Sequence, residues 1–263
     1  VDGLKPLSGE LDAAIAAARL AGDLLRQNFG KETQVRQKSP MEIVTEVDLQ
    51  AQSLIAGHLH GIFPDYGFIG EEGSASPLLV SASWIVDPID GTTNFAHGYP
   101  LFAVSIALEV SGEIMLGVVY NPVLDEMYVA EKGTGAYLNG MRIHVSEVRE
   151  LRGALVASGF PYDAWTNPAD NLSGWEQIVK RALSARCDGV ASLDLCHVAA
   201  GRLDAYWEID LEVWDYAAGA LIVREAGGVV TSVSGAPCGT RQRDILASNG
   251  RLHQEMVLAL RLG

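Results

Sequence analysis

The sequence predicts a layered α-β-α-β-α sandwich, a mixed α/β (α+β) fold, and three observations predict it. Two stretches of helical periodicity open the chain, a run of short β-rich segments follows, and strands then alternate with helices toward the C-terminus. Each helix or sheet must bury an apolar face against a neighbour, so helices, sheet, helices, second sheet and outer helices stack as layers. The 263 residues are 48% hydrophobic and 20% charged, which supplies a large core and argues against a disordered or collagenous chain.

Taken in order, Leu11, Ala14, Ile15, Ala18, Gly22 and Leu25 recur at helical spacing behind Ser8 as a cap. Val47, Ala51, Leu54, Ile55 and Leu59 repeat the pattern until Gly61 and Pro64 stop it. Strands are expected at 67–70, 83–86, 101–109, 113–120 and 125–130, separated by turn residues, as a largely antiparallel meander. Asn139-Gly140 between Ala136-Tyr137-Leu138 and Met141-Arg142-Ile143 is a strong hairpin signal, because both turn residues tolerate positive φ. Further on, strands are expected at 154–158, 203–208, 228–232 and 245–248. Helices are expected at 173–185, 192–200, 214–226 and after Gly250. Residues 1–145 thus read as an N-terminal α+β half with an antiparallel sheet, and 146–263 as an α/β half that packs on it.

Charge and cysteine usage narrow the function. With 19 basic and 33 acidic residues the net charge is −14, the opposite of a general nucleic-acid binder, and suited to holding cations. The three cysteines, Cys187, Cys196 and Cys238, show no CxxC spacing, so neither a disulfide framework nor a zinc site is expected. No secretory leader and no membrane span is legible, and a cytoplasmic protein is expected.

The segment WIVDPIDGTTNF, residues 84–95, carries the most chemistry. Trp84, Ile85 and Val86 read as a buried strand that should end at Asp87, since a buried unpaired carboxylate is costly. Pro88 fixes the backbone and Gly91 permits a tight turn, so that Asp90, the Ile89 carbonyl and the Thr92 hydroxyl point back toward Asp87. Such a cluster of oxygen donors suits Mg²⁺, and a cation relieves the repulsion between the two acids. Upstream, Glu71-Glu72 follows the strand ending at Ile69, and adjacent side chains diverge, so one of the two can join the cluster. Downstream, Asp215 opens a helix with an inward stripe of Ala218, Leu221, Ile222 and Ala226; it is either a carboxylate favoured by the helix dipole or a ligand from the opposite half.

Glu71-Glu72, the run D-P-I-D-G-T-T-N-F, and W-D-Y-A-A-G followed by E-A-G-G at 225–228 together resemble the inositol monophosphatase family. That family lies within the lithium-sensitive, Mg²⁺-dependent phosphatases whose sandwich fructose-1,6-bisphosphatase shares. The resemblance spans nearly the whole chain. It implies that Glu71, Asp87, the Ile89 carbonyl, Asp90 and Asp215 bind two or three Mg²⁺ ions, with Mn²⁺ as a substitute, and that Glu72 is a neighbour. It also implies that Thr92 positions the attacking water, and that Lys38 belongs to a mobile loop near a more weakly held ion, supported by Thr45 and Asp48.

Residues 188–208, DGVASLDLCHVAAGRLDAYWE, resemble the polyol-binding segment of the family. The implied substrate contacts are Asp90, Gly91, Thr92, Gly189, Ala191, Glu208 and Asp215. Val190 stands where a serine or threonine is expected, which removes one hydrogen bond to the sugar. The implied reaction is hydrolysis of a small phosphorylated polyol, inositol 1-phosphate foremost, by in-line attack of a metal-activated water. Fructose-1,6-bisphosphatase, histidinol-phosphatase and nucleotide phosphatase activities remain open. So does a regulatory role on the transcription machinery, and the resemblance favours a homodimer. His97 reads as packing or surface, and His58, His60, His144, His197 and His253 show no metal-ligand spacing.

Overall fold

The computed structural model describes residues 8–31, 35–38, 42–75 and 81–261. Its first elements are α1 (Ser8–Asn28), β1 (Val35–Gln37), β2 (Ile43–Thr45), α2 (Glu46–Ile62), β3 (Gly67–Gly70), β4 (Ser74–Ala75) and β5 (Ala82–Asp90). Then come α3 (Thr92–Ala96), β6 (Ala103–Val110), β7 (Glu113–Asn121), β8 (Glu126–Glu131), β9 (Gly135–Leu138) and β10 (Met141–Ile143). After a 3-10 turn at Leu151–Gly153 follow β11 (Leu155–Ser158), α4 (Leu172–Val179), β12 (Ser184–Arg186), α5 (Ala191–Ala199) and β13 (Ala205–Ile209). The chain finishes with α6 (Val213–Glu225), β14 (Val229–Thr231), β15 (Asp244–Ser248) and α7 (His253–Leu260). The side chain of Ser8 lies outside the described residues.

Period-two alternation in the central strands sets the layers. Val104, Ile106 and Leu108 of β6, with Leu116, Val118 and Tyr120 of β7, pack under α1 and α2 beside Leu25, Ile55 and Leu59. The other face of β6 and β7 carries small residues, Ala103, Ala107 and Val119, and meets α5 and α6. At Gly117 a Cβ would come within 2.7 Å of the Ala218 carbonyl oxygen, so glycine is what lets α6 lie against the sheet. A third core of Val156, Trp207, Leu246 and Met256 lies between the second sheet and α4 and α7.

The larger sheet has the order β10-β9-β8-β7-β6-β5-β3-β4, and the smaller one β12-β11-β13-β15-β14. The expected α-β-α-β-α sandwich is therefore the observed one. At the Asn139-Gly140 turn φ is 49° and 79°, and β9 and β10 pair antiparallel across it as expected.

Two expectations are corrected. The strand does not end at Asp87. It runs to Asp90 with an irregular register between the two, because the carboxylate is not unpaired: it accepts from the Ile89 amide at 2.9 Å. The helix expected over 173–185 stops at Val179, and Ser184–Arg186 pairs parallel to β11, so sheet pairing overrides a weak local helical pattern.

Candidate active site

Parity along β5 determines which way the first acid faces. Trp84 and Val86 belong to the core under α1 and α2, whereas Ile85, and by the same alternation Asp87, face the middle helices. Asp87 is only 2% exposed. Beyond the irregular register, Asp90 (8% exposed) faces the same middle helices and accepts from the Ser192 amide in the first turn of α5 at 2.7 Å. Gly91 then adopts φ 91°, where a Cβ would press on Val190 at 2.9 Å, and α3 starts at Thr92. The turn that Pro88 and Gly91 predict is thus locked by a residue from the other half of the chain.

The remaining acids arrive on separate elements. Glu71 follows β3, parallel to β5, and its amide donates to the Val86 carbonyl at 3.2 Å. Asp215 is the third residue of α6 and accepts from the Glu212 amide at 2.7 Å within a capping box. Asp215 thus caps its helix and also lines the same cavity as Glu71, Asp87, Ile89 and Asp90. That cavity has a volume of about 650 Å³.

Electrostatics mark this floor as a place for cations. Burial, then the charges of Glu71, Asp90 and Asp215, push the Asp87 carboxyl well above the ordinary carboxylate range. Burial likewise pushes Asp90 up to about 6, against the opposing Ser192 hydrogen bonds. Asp215 is also raised, by burial and then by Asp90. Four carboxylates and a carbonyl form an all-oxygen set, and such a set fits a hard divalent cation.

Behind the floor, fully buried Asp48 is clamped by Thr45. Its Oδ2 accepts the Thr45 amide at 2.8 Å and the Thr45 hydroxyl, which in turn caps α2. The Asp48 Oδ1 accepts from the Thr92 hydroxyl at 2.8 Å. Neither Thr45 nor Asp48 lines the cavity; Asp48 reaches it only through its hydrogen bond with Thr92. Lys38 lines it, with its ammonium 2.7 Å from Glu71 and 2.5 Å from Glu72. Burial alone would lower the Lys38 pKa, but the two glutamates outweigh it and raise it. Glu72 faces the lysine and does not line the cavity.

The wall of the same cavity also includes Gly189, Ala191 and Glu208. Burial pushes the Glu208 carboxyl up to about 8, and the Tyr206 hydroxyl donates to it. Gly159 fits only because it lacks a side chain, since a Cβ would stand 2.2 Å from a Glu208 oxygen. Sequence reasoning missed Gly159 and the following Phe160-Pro161-Tyr162, which line the cavity with Tyr162 59% exposed. The available signal was Gly-Phe-Pro directly after β11, a strand-to-loop break. His97 is exposed at the end of α3, as expected. His197 is a correction, because the fold brings it together with Asp188 and Asp194.

A layered sandwich whose first sheet and middle helices press acids into one buried floor defines a class, the metal-dependent phosphatases. More particularly, the chain belongs to the inositol monophosphatase family, whose profile matches residues 7–262. It is 42% identical over 257 residues to inositol monophosphatase 2 of Solanum lycopersicum, covering 95% of this chain and 97% of that one. It is 40% identical to the Nus factor SuhB of Pseudomonas aeruginosa, covering 95% of each. The crystal structure of the extragenic suppressor protein suhB from Bartonella henselae superposes with a TM-score of 0.92 at 40% identity, covering 97% of this chain and 99% of that one. No helix among the described residues is long and apolar enough to cross a membrane.

Proposed function

We propose that the protein hydrolyses the phosphate monoester of a small polyol, inositol 1-phosphate foremost, in the cavity between the two sheets. One observation supports this reading: four acids from three separate segments line a single cavity together with Gly189, Ala191 and Glu208. Glu71, Asp87, the Ile89 carbonyl, Asp90 and Asp215 would hold two or three Mg²⁺ ions, with Mn²⁺ as a substitute. Bound there, such ions supply Lewis-acid stabilisation of phosphoryl charge and lower the pKa of water. They also neutralise the substrate, which a chain of net charge −14 would otherwise repel.

The protein's own groups orient the nucleophile. Thr92 has one hydroxyl proton and two acceptors in reach, Asp48 Oδ1 at 2.8 Å and the Ile89 carbonyl at 2.9 Å. Donation to Asp48 leaves the Thr92 oxygen free to accept a hydrogen bond from the attacking water. Glu71, beside it on the floor, accepts the second proton of that water and acts as general base. Gly91 and Thr92 border the phosphate position, and Glu208 recognises a hydroxyl of the leaving polyol.

Phosphate release from inositol 1-phosphate, fructose 1,6-bisphosphate, histidinol phosphate and adenosine 3′,5′-bisphosphate, with and without Mg²⁺, tests the reading. Turnover of the inositol ester only with Mg²⁺ supports it, and turnover of another ester alone reassigns the substrate. A second reading, contact with the transcription machinery, is favoured by the Nus factor name of the Pseudomonas relative. Co-migration of the chain with transcription elongation complexes, unchanged by Asp90→Asn, would establish a role separate from catalysis.

A further inference from the structure

Asp188, Asp194 and His197 form a second group of ligating side chains, and one ligand atom from each lies within 4.8 Å of the others. Asp194 and His197 are three residues apart on α5 and so share a face, while Asp188 comes from the turn that precedes Gly189. Asp194 is 2% exposed, and its Oδ1 has no hydrogen-bond partner. A carboxylate oxygen of Asp188 lies within 4.8 Å of one of Asp194. Two carboxylates this close repel unless a proton or a cation lies between them.

Nearby donors are already engaged. Both terminal nitrogens of Arg202 bind Glu126, and one also binds the Tyr128 hydroxyl. The Asn94 amide donates to the backbone carbonyls of Leu101 and Asp188, not to a carboxylate. Burial, and then Arg202, hold the His197 pKa below its usual value, which favours the neutral imidazole that ligates metals. Asp188 and His197 are half-buried, which leaves an approach from solvent.

We propose that Asp188, Asp194 and His197 bind an auxiliary divalent transition ion, of which Zn²⁺ fits best, at a site distinct from the acid floor. Two carboxylates and one imidazole form a mixed oxygen and nitrogen set, which favours Zn²⁺ or Co²⁺ over Mg²⁺. At metal–ligand distances of about 2.0–2.2 Å, ligand atoms stand roughly 3–4.4 Å apart, so a small closure of this group suffices. The ion would tie the turn carrying Asp188 and Gly189 to α5, which carries Ala191, and so stiffen that wall of the cavity. The role is structural, and it stands whether or not the floor hydrolyses phosphate.

The test is a Co²⁺ titration of the full chain in saturating Mg²⁺, which fills the all-oxygen floor. One equivalent of Co²⁺ is expected to bind, with paramagnetic shifts of the His197 imidazole signals. Affinity should fall at least ~10-fold in Asp194→Asn and His197→Gln, and should persist in Asp90→Asn. Circular dichroism checks that each variant folds; should Asp194→Asn not fold, half-buried His197→Gln and the wild-type imidazole shifts decide. Absence of Co²⁺ binding in Mg²⁺, or equal affinity in His197→Gln, overturns the site.

Discussion

The floor and the wall of the cavity are built differently. On the floor, backbone amides hold the acids: Ile89 holds Asp87, Ser192 holds Asp90, and Glu212 holds Asp215. Each acid sits on or beside a strand or helix whose own packing fixes it. On the wall, Glu208 is met by the Tyr206 hydroxyl and packs on the bare backbone of Gly159, and Cys187 and Tyr162, which line the same cavity, are exposed. Backbone hydrogen bonds thus fix the acids, whereas the wall joins Glu208 of β13 and Ala191 of α5 to the turn at Gly189 and the loop after β11.

The largest effect should come from breaking the floor. Asp90→Asn keeps an oxygen for the Ser192 amide but removes a charge, and should lower turnover at least ~100-fold with near-native circular dichroism. Near-normal turnover in saturating Mg²⁺ would exclude Asp90 as a ligand. Thr92→Val should come next. It removes the hydroxyl that joins Asp48 to the cavity, so kcat should fall about 100-fold, the low end for general acid–base effects, with KM little changed. An equal fall in Thr92→Ser would point to packing instead, because serine keeps the hydroxyl.

Wall variants should be smaller and selective. Glu208→Gln should weaken polyol recognition by about 0.5–1.5 kcal/mol, a several-fold rise in KM for inositol phosphate, and leave a small aryl phosphate nearly unaffected. Gly159→Ala should shift the same carboxyl from 2.2 Å away and reproduce that pattern without changing charge. Equal losses on both substrates would assign Glu208 to the floor. The mildest effect is on stability. A carboxyl whose pKa is raised from 4.5 to about 8 holds its proton longer in the folded chain than in the unfolded one. Stability is therefore lost as pH rises from about 4.5 to about 8, and Glu208→Gln should flatten that decline in thermal melts. An unchanged slope would mean that water reaches and screens the Glu208 carboxyl.

How much of this was legible in the sequence depends on how far each determinant lies along the chain. The helical stripe of α2, the β-rich runs of β6 and β7 and the positive φ at Asn139-Gly140 rest on neighbouring residues, and each was readable. The order Asp87, Pro88, Asp90, Gly91, Thr92 specified a turn rich in oxygen donors for the same local reason. β12 was read as helix, because only its pairing with β11, nearly thirty residues earlier, makes it a strand. Gly159 carried no sequence signal for its partner, and Asp188 none for His197, since these contacts exist only once loops and α5 are packed. Locally encoded conformation fixes which groups are offered, whereas the stacking of layers decides which meet: the Ser192 amide reaches Asp90 across 102 residues of chain. Burial among other acids then raises the pKa of Asp87, a property that no stretch of sequence holds by itself.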